Sequence, residues 1–340
     1  MAAPRYDVLG IGNAIVDVLA QADDAFLIKQ GLAKGAMTLI DDGTADRLYK
    51  AMGPAIECSG GSAANTIAAL ASLGSPCAFI GKVRNDALGK VFAHDIRALG
   101  VAFDTPPAKT GPSTARCLVL VTPDAQRTMQ TFLGASSGLT ADDIDPAVVA
   151  DAQVTYLEGY LWDPLAAKEA FIKAARLAHD AGRKVALTLS DSFCVDRHRA
   201  DFLKLIEGHV DVLFANEAEI KALYQVADFD LAVRQARHHC EVAAVTRSEK
   251  GAVIVVGDQV TAIPAASVAR VVDTTGAGDL YAAGFLFGYT RDLPIEICGK
   301  IGAIAAAEII SHYGARPDAN LADLVAAKLG PLPITAQAAV

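Results

Sequence analysis

Short runs dense in apolar residues recur along the chain: YDVLGIG from Tyr6, CAFIG from Cys77, VTYLEG from Val154, KVALTL from Lys184, VDVLFAN from Val210 and VAAVT from Val242. They are too continuously apolar for strands with one solvated face, so they predict strands buried on both sides. Several are followed by helical spacing, as in PLAAKEAFIKAARLAHDAG from Pro164. This alternation predicts right-handed crossovers and an α/β fold in which a mostly parallel central sheet lies between two helical layers. Ligands then belong at the carboxyl ends of the strands.

Two regions break the pattern. Residues 14–58 contain IVDVLAQ, AMTLI and AIECS, and residues 101–134 contain TARCLVLVTP and RTMQTFL. Both are rich in β-like alternation, poor in helix and too short for a separate core. Together they predict a small β-sheet projecting from the α/β body as a lid. The chain thus reads as one domain over residues 1–330, with a loose tail over residues 331–340 that carries Pro331 and Pro333.

Composition narrows the function classes. Of 340 residues, 52% are apolar, which is ample for one large core, and the net charge of −9 with a pI near 5.2 offers no global attraction for nucleic acid or anionic lipid. Positive charge for a phosphate must therefore be local. Six scattered cysteines lack the spacing of a disulfide framework or zinc site and read as small core residues. No basic region followed by an apolar run opens the chain, and IGAIAAAEII carries Glu308 and falls short of the roughly 18 apolar residues of a membrane span. A cytoplasmic protein without membrane partners is expected.

The stretch DTTGAGD places Gly276, Ala277 and Gly278 between Asp273 and Asp279. Before it runs the β-like ASVARVV and after it the helical LYAAGFLFGY, which predicts a strand-to-helix junction. Bare amides at a helix start form an anion site. Asp279, one turn in, is placed to accept a proton from a hydroxyl attacking a phosphoryl group held there. A tight capping turn would use the same residues.

A second glycine-rich segment, ECSGGSAANTIAALASLG, has Gly60 and Gly61 before another helix and Asn65 within it, a surface suited to hydroxyls. In GIGNAIVD, Gly10 and Gly12 resemble the start of a dinucleotide fingerprint, but Ile15 stands where the third glycine belongs. Asn13 and Asp17 instead fall on one face of an extended segment, where an amide and a carboxylate could bind adjacent hydroxyls. A turn asparagine and a solvated aspartate would fit the same spacing. No G-x-x-x-x-G-K-[ST] occurs, which excludes a P-loop.

GGSAAN at 60–65 and DTTGAGD at 273–279 resemble, in order and separation, the two signatures of the ribokinase-like (PfkB) carbohydrate and nucleoside kinases. DVLFANEAE, with Asn216 and Glu219, resembles the Asn-x-x-Glu element of that family, and VTRSEKGA, with Thr246 and Gly251, its nucleotide-side loop. The resemblance spans residues 6–316. It implies the ribokinase-like three-layer fold and ATP-dependent phosphorylation of a primary hydroxyl. Asp279 would be the general base and the amides of residues 276–278 the anion hole. Asn216, Thr246 and Gly251 would lie on the nucleotide side, Glu219 would act on Mg²⁺ through water, and a monovalent cation such as K⁺ could take ligands from the backbone near Asp273 and Thr275, beside the anion hole.

Within the family, GNAIVD, AMTLIDD, SGGSAANT and LTLSDSF are most similar to the adenosine kinases. By that resemblance Asn13, Asp17, Gly60, Gly61 and Asn65 would hold ribose hydroxyls, and Met37, Leu39 and Tyr160 would line the base pocket. Arg127 would reach the ATP phosphates from the lid. Met37 stands where eukaryotic members often carry a polar residue, and EGYLWD lacks their paired phenylalanines. Another nucleoside, or a free sugar of the ribose, fructose or 2-keto-3-deoxygluconate type, therefore stays open as substrate. So do a non-catalytic nucleoside-binding role and assembly as a monomer or homodimer.

Overall fold

The computed structural model describes residues 3–124 and 126–332. Thirteen strands run through them: β1 (Tyr6–Ile11), β2 (Ile15–Gln21), β3 (Met37–Leu39), β4 (Ala55–Gly60), β5 (Cys77–Ile80), β6 (Ala115–Val121), β7 (Arg127–Phe132), β8 (Ala152–Glu158), β9 (Lys184–Thr188), β10 (Val212–Asn216), β11 (Val242–Thr246), β12 (Ala252–Val256) and β13 (Gln259–Ile263). Eight form a central sheet in the order β13-β12-β11-β10-β9-β8-β1-β5. From β5 to β11 every pairing is parallel, while β12 and β13 close one edge as an antiparallel hairpin.

Strand β1 shows why the apolar runs behave as they do. All six residues are buried; Val8 points into the core on one face of the sheet, and Leu9 and Ile11 into the core on the other. The first face is covered by helices Ser62–Ser72, Ala277–Tyr289 and Ile295–Ile309, the second by Leu165–Asp180 and Ser192–His209. A ribokinase-like α/β architecture with a mostly parallel sheet results.

The remaining five strands form a second sheet, β3-β7-β6-β2-β4, drawn from the two expected regions except that β4 runs on to Gly60, and the first region also carries the helices Asp24–Gln30 and Asp42–Ala51 that its pattern did not predict. Its two faces follow the two-residue period of a strand. Val16, Val18 and Leu118 join the main core, whereas Ile15, Cys117 and Val119 form a small apolar cluster on the opposite side. Asp17 shares the face of Ile15 and pairs in register with Cys117.

Two expectations change. ASVARVV is not a strand: Val272 and Asp273 donate their N–H groups to Ile310 O, at the end of a helix, so the stretch before DTTGAGD is extended coil with no strand partner. The cysteines divide, with Cys77, Cys117, Cys194 and Cys298 buried and Cys58 and Cys240 half-buried; all six are free. The loose tail lies, from residue 333 onward, outside the described residues. No helix among the described residues is long and apolar enough to cross a membrane.

Candidate active site

Strands β8, β9, β10 and β11 end at Glu158, Thr188, Asn216 and Thr246, and all four residues line one cleft of about 1200 Å³. The cleft therefore opens at the carboxyl ends of the parallel strands, where the sheet leaves backbone and helix starts free for a ligand. The second sheet forms its opposite wall through Ile15, Asp17, Cys117 and Val119.

At the centre stands Asp279, in the first turn of the helix Ala277–Tyr289. Gly276 caps that helix at φ +77°, a conformation that residues with a Cβ rarely adopt. Ser62 Oγ donates to Asp279 Oδ1 at 2.6 Å and Asn65 Nδ2 donates to Oδ2 at 3.1 Å, so two side chains of one helix orient the carboxylate. Burial pushes the Asp279 pKa up, and these hydrogen bonds and the nearby Arg316 oppose that rise. The buried Asn65 Oδ1 accepts no hydrogen bond, which leaves a polar atom in the cleft wall suited to a ligand hydroxyl.

The nominated anion hole is narrower than the sequence suggests. Ala277 N–H is already donated to Thr274 O at 3.2 Å, so the open amides of the trio are those of Gly276 and Gly278. The positive end of the helix and these two groups remain directed at the cleft.

Asn13 and Asp17 both line the cleft. The Asn13 side chain is held at both ends: Nδ2 donates to Glu158 Oε1 at 2.7 Å, and Oδ1 accepts from Ser136 Oγ at 2.8 Å. Glu158 also accepts the N–H of Asn13 at 3.3 Å and of Ala63 at 2.9 Å, and its burial pushes its pKa up to about 7. Asp17 makes no hydrogen bond to a described residue; burial raises it to about 6, with Arg316 and Arg127 pulling the other way. A half-buried carboxylate without donors is suited to receive hydroxyl protons from a ligand.

Gly61 lines the cleft, but Gly60 does not. Gly60 lies behind Asp17, where a Cβ would fall 2.4 Å from Asp17 Cγ, so its role is to make room for the carboxylate. Gly12 is likewise explained by packing, since a Cβ there would meet Glu158 Oε2 at 2.3 Å. A Cβ on Gly10 would fall 2.5 Å from Ile67 Cγ1, so packing accounts for both glycines that resembled a dinucleotide fingerprint.

Met37, Leu39 and Tyr160 line the cleft and are 49%, 57% and 37% exposed. Phe193, which sequence reasoning left unassigned, joins them at 74% exposure. Exposed apolar side chains gathered in a concave site gain from covering a flat apolar ligand. Asn216, Glu219, Thr246 and Gly251 line the same cleft. Asn216 and Glu219 form a reciprocal cap: Asn216 N–H donates to Glu219 Oε2 and Glu219 N–H to Asn216 Oδ1, both at 2.9 Å, and Asn216 Nδ2 reaches Glu219 Oε1. Burial raises Glu219 to about 7. Each carboxylate oxygen thus already accepts one donor, which fits contact with Mg²⁺ through its water shell.

Arg127 lines the cleft from β7 and pairs with Asp273, whose carboxylate also accepts N–H groups from Thr275 at 3.0 Å and Gly314 at 3.2 Å. Both oxygens of the Asp273 carboxylate are thus engaged, so ligands for a monovalent cation here would have to come from the backbone. Sequence reasoning also missed Ser62, Glu158 and Arg316. The hydroxyl lay inside the quoted GGSAAN, whereas Glu158 read only as the end of an apolar run.

Comparisons with known proteins agree with this geometry. The model of the pfkB family of carbohydrate kinases matches residues 57–321. The solved adenosine kinase of Sinorhizobium meliloti is 53% identical, with a TM-score of 0.87, covering 95% of this chain and 99% of that one. A probable sugar kinase of Rhizobium etli is 50% identical, with a TM-score of 0.88 and coverage of 96% and 99%. The ATP-dependent ribose-1-phosphate kinase of Halopiger xanaduensis is 31% identical over 295 residues, which is 84% of this chain and 92% of the relative.

Proposed function

The chain belongs to the pfkB family of carbohydrate kinases, a phosphotransferase acting on an alcohol group of a sugar or nucleoside, and on that premise we propose that it transfers the γ-phosphoryl group of ATP to the 5′-hydroxyl of adenosine. The observation that carries the choice of acceptor is the 53% identity, over 95% of the chain, to the adenosine kinase of Sinorhizobium meliloti. The apolar lining of the cleft, with Met37, Leu39, Tyr160 and Phe193, supports a planar base over a bare sugar.

In this reading Asp17 and Asn65 hold ribose hydroxyls, and Glu158 with Ser136 keeps Asn13 facing the same ring. Asp279, oriented by Ser62 and Asn65, accepts the proton of the 5′-hydroxyl as its oxygen attacks phosphorus. The amides of Gly276 and Gly278 and the guanidinium of Arg127 hold the equatorial oxygens of the transferring group. Mg²⁺ supplies charge neutralisation between the phosphates when bound, and Glu219 is the residue that would hold it, through water. Asn216, Thr246 and Gly251 would contact the nucleotide donor. The second sheet would act as the lid that excludes water.

The decisive experiment offers adenosine, inosine, guanosine, ribose, fructose and 2-keto-3-deoxygluconate with ATP and Mg²⁺. Adenosine is expected to turn over fastest. An inert adenosine beside a rapidly phosphorylated free sugar would refute the acceptor and leave the kinase.

A further inference from the structure

Arg316 lies in the loop between the helices Ile295–Ile309 and Leu321–Leu329. Its Nε donates to Ser59 O at 3.0 Å, Nη1 to Ala64 O at 2.8 Å and Nη2 to Ser59 Oγ at 2.8 Å. All these partners are uncharged, and Arg316 forms no ion pair among the described residues. A desolvated guanidinium held only by neutral dipoles is costly unless a negative potential meets it through space.

The residues it grips show where that potential comes from. Ser59 precedes Gly60, the residue packed behind the Asp17 carboxylate. Ala64 lies between Ser62 and Asn65, the two side chains that hold Asp279. One positive charge therefore lies behind the backbone that carries the contacts of both Asp17 and Asp279, and it ties β4 and the helix Ser62–Ser72 to the C-terminal loop. Ser59 is fixed from its other side by Asp95, which accepts its N–H at 2.7 Å.

Ser62 and Asn65 favour the charge of Asp279 through their hydrogen bonds; the titratable groups that face it are otherwise unfavourable. Asp17 comes from β2, Tyr156 and Glu158 from β8, and Glu219 from the helix Glu217–Tyr224; the three carboxylates repel it and the phenol is neutral. Arg127, from β7, acts on Asp17 and is paired with Asp273. Arg316 is the cation that favours the ionised Asp279.

We propose that Arg316 is a positioning residue whose charge keeps Asp279 ionised, and so able to accept a proton, near neutral pH. The inference rests on Asp279 being the general base of the proposed kinase.

The test is the pH dependence of kcat at saturating acceptor, ATP and Mg²⁺ for the full-length enzyme and for Arg316→Gln and Arg316→Lys. Saturation matters because Asp17, also beside Arg316, binds the acceptor and would enter kcat/KM. Arg316→Gln should move the acidic limb of kcat upward by about one pH unit, roughly a tenfold loss on that limb that closes at alkaline pH. Arg316→Lys, which keeps the charge but not the two-sided grip on Ser59 and Ala64, should retain the wild-type limb. A loss equal at all pH values in Arg316→Gln would overturn the proposal. If that variant does not fold, a limb displaced in Arg316→Lys, or turnover in it depressed equally at every pH, overturns it instead. Failure of the underlying reading looks different: Asp279→Asn would then retain turnover whatever Arg316 does.

Discussion

Arg127, the first residue of β7, forms an ion pair across the cleft with Asp273, the first residue of the DTTGAGD loop, 146 positions later. The side chains are only 10% and 7% exposed, and Arg127 Nε is buried without a partner. The pair links the second sheet directly to the loop bearing the open amides. In the proposed reaction an incoming phosphate group would compete with Asp273 for the guanidinium, and the unpartnered Nε would supply a donor for it. Replacing Arg127 with Ala should lower kcat by about 10²–10³, the usual effect of removing one donor to developing negative charge. Acceptor affinity, measured by calorimetry without ATP, should change little, because the ribose and base contacts lie elsewhere. Equal losses in binding and turnover would show that the arginine only shapes the cleft.

Asp279→Asn preserves shape and both supporting contacts in number, since an amide can still meet Ser62 and Asn65. It cannot take the proton. Turnover should fall by about 10²–10⁴, the range for a positioned general base, while adenosine binding persists. Steady-state kinetics beside equilibrium binding separates the two. Unchanged turnover would remove the assigned role.

The parts of this molecule legible in its sequence are those written in local pattern. YDVLGI and VLFAN had to be doubly buried strands because no face of either is polar enough for water, and the glycine motifs had to start helices. Asp17 and Asn13 were visible because they stand close together in an extended segment. Glu158, Ser62 and Arg316 act through partners up to 257 positions away, as in the Arg316–Ser59 contact, so no spacing announces them. Gly60 misled for a related reason. A glycine that makes room for a buried side chain and one that makes room for a ligand look alike until the neighbour is known. The coil before DTTGAGD read as a strand because Val268, Val271 and Val272 favour extended backbone, and only the tertiary arrangement gives Val272 a helix end instead of a strand to bond.

If Asp17 holds the acceptor hydroxyls as proposed, acceptor affinity should depend on pH. Its pKa is raised to about 6 by burial, so below that value the free enzyme carries a neutral carboxyl that accepts hydroxyl protons less well. The acceptor KM should therefore rise as pH falls through about 6, approaching tenfold per pH unit well below it. The sign for stability is opposite: the folded state holds the proton more tightly than the unfolded chain, so the Asp17 contribution is favourable at low pH and is lost between the ordinary aspartate value of 3.8 and about 6. Asp17→Asn should flatten the KM profile and raise KM at neutral pH. A profile that keeps its slope in the variant would assign the titration to another group.

Gly60→Ala tests whether packing behind the acceptor carboxylate matters as much as contact in front of it. The added Cβ would lie 2.4 Å from Asp17 Cγ and 2.4 Å and 2.7 Å from its two oxygens, closer than any real contact, so Asp17 must turn away or β4 must shift. Since β2 and β4 are paired through the Ile15–Gly60 and Asp17–Cys58 registers, moving the side chain disturbs less than moving the strand. The expected outcome is an acceptor KM raised at least tenfold, with a smaller change in kcat because Asp279 is held by a different helix through Ser62 and Asn65. Strain of this kind costs about 1–3 kcal/mol of folding stability, measurable by urea denaturation. If KM stayed at the wild-type value while stability fell, the strand would have absorbed the methyl group and the carboxylate would be free to keep its place.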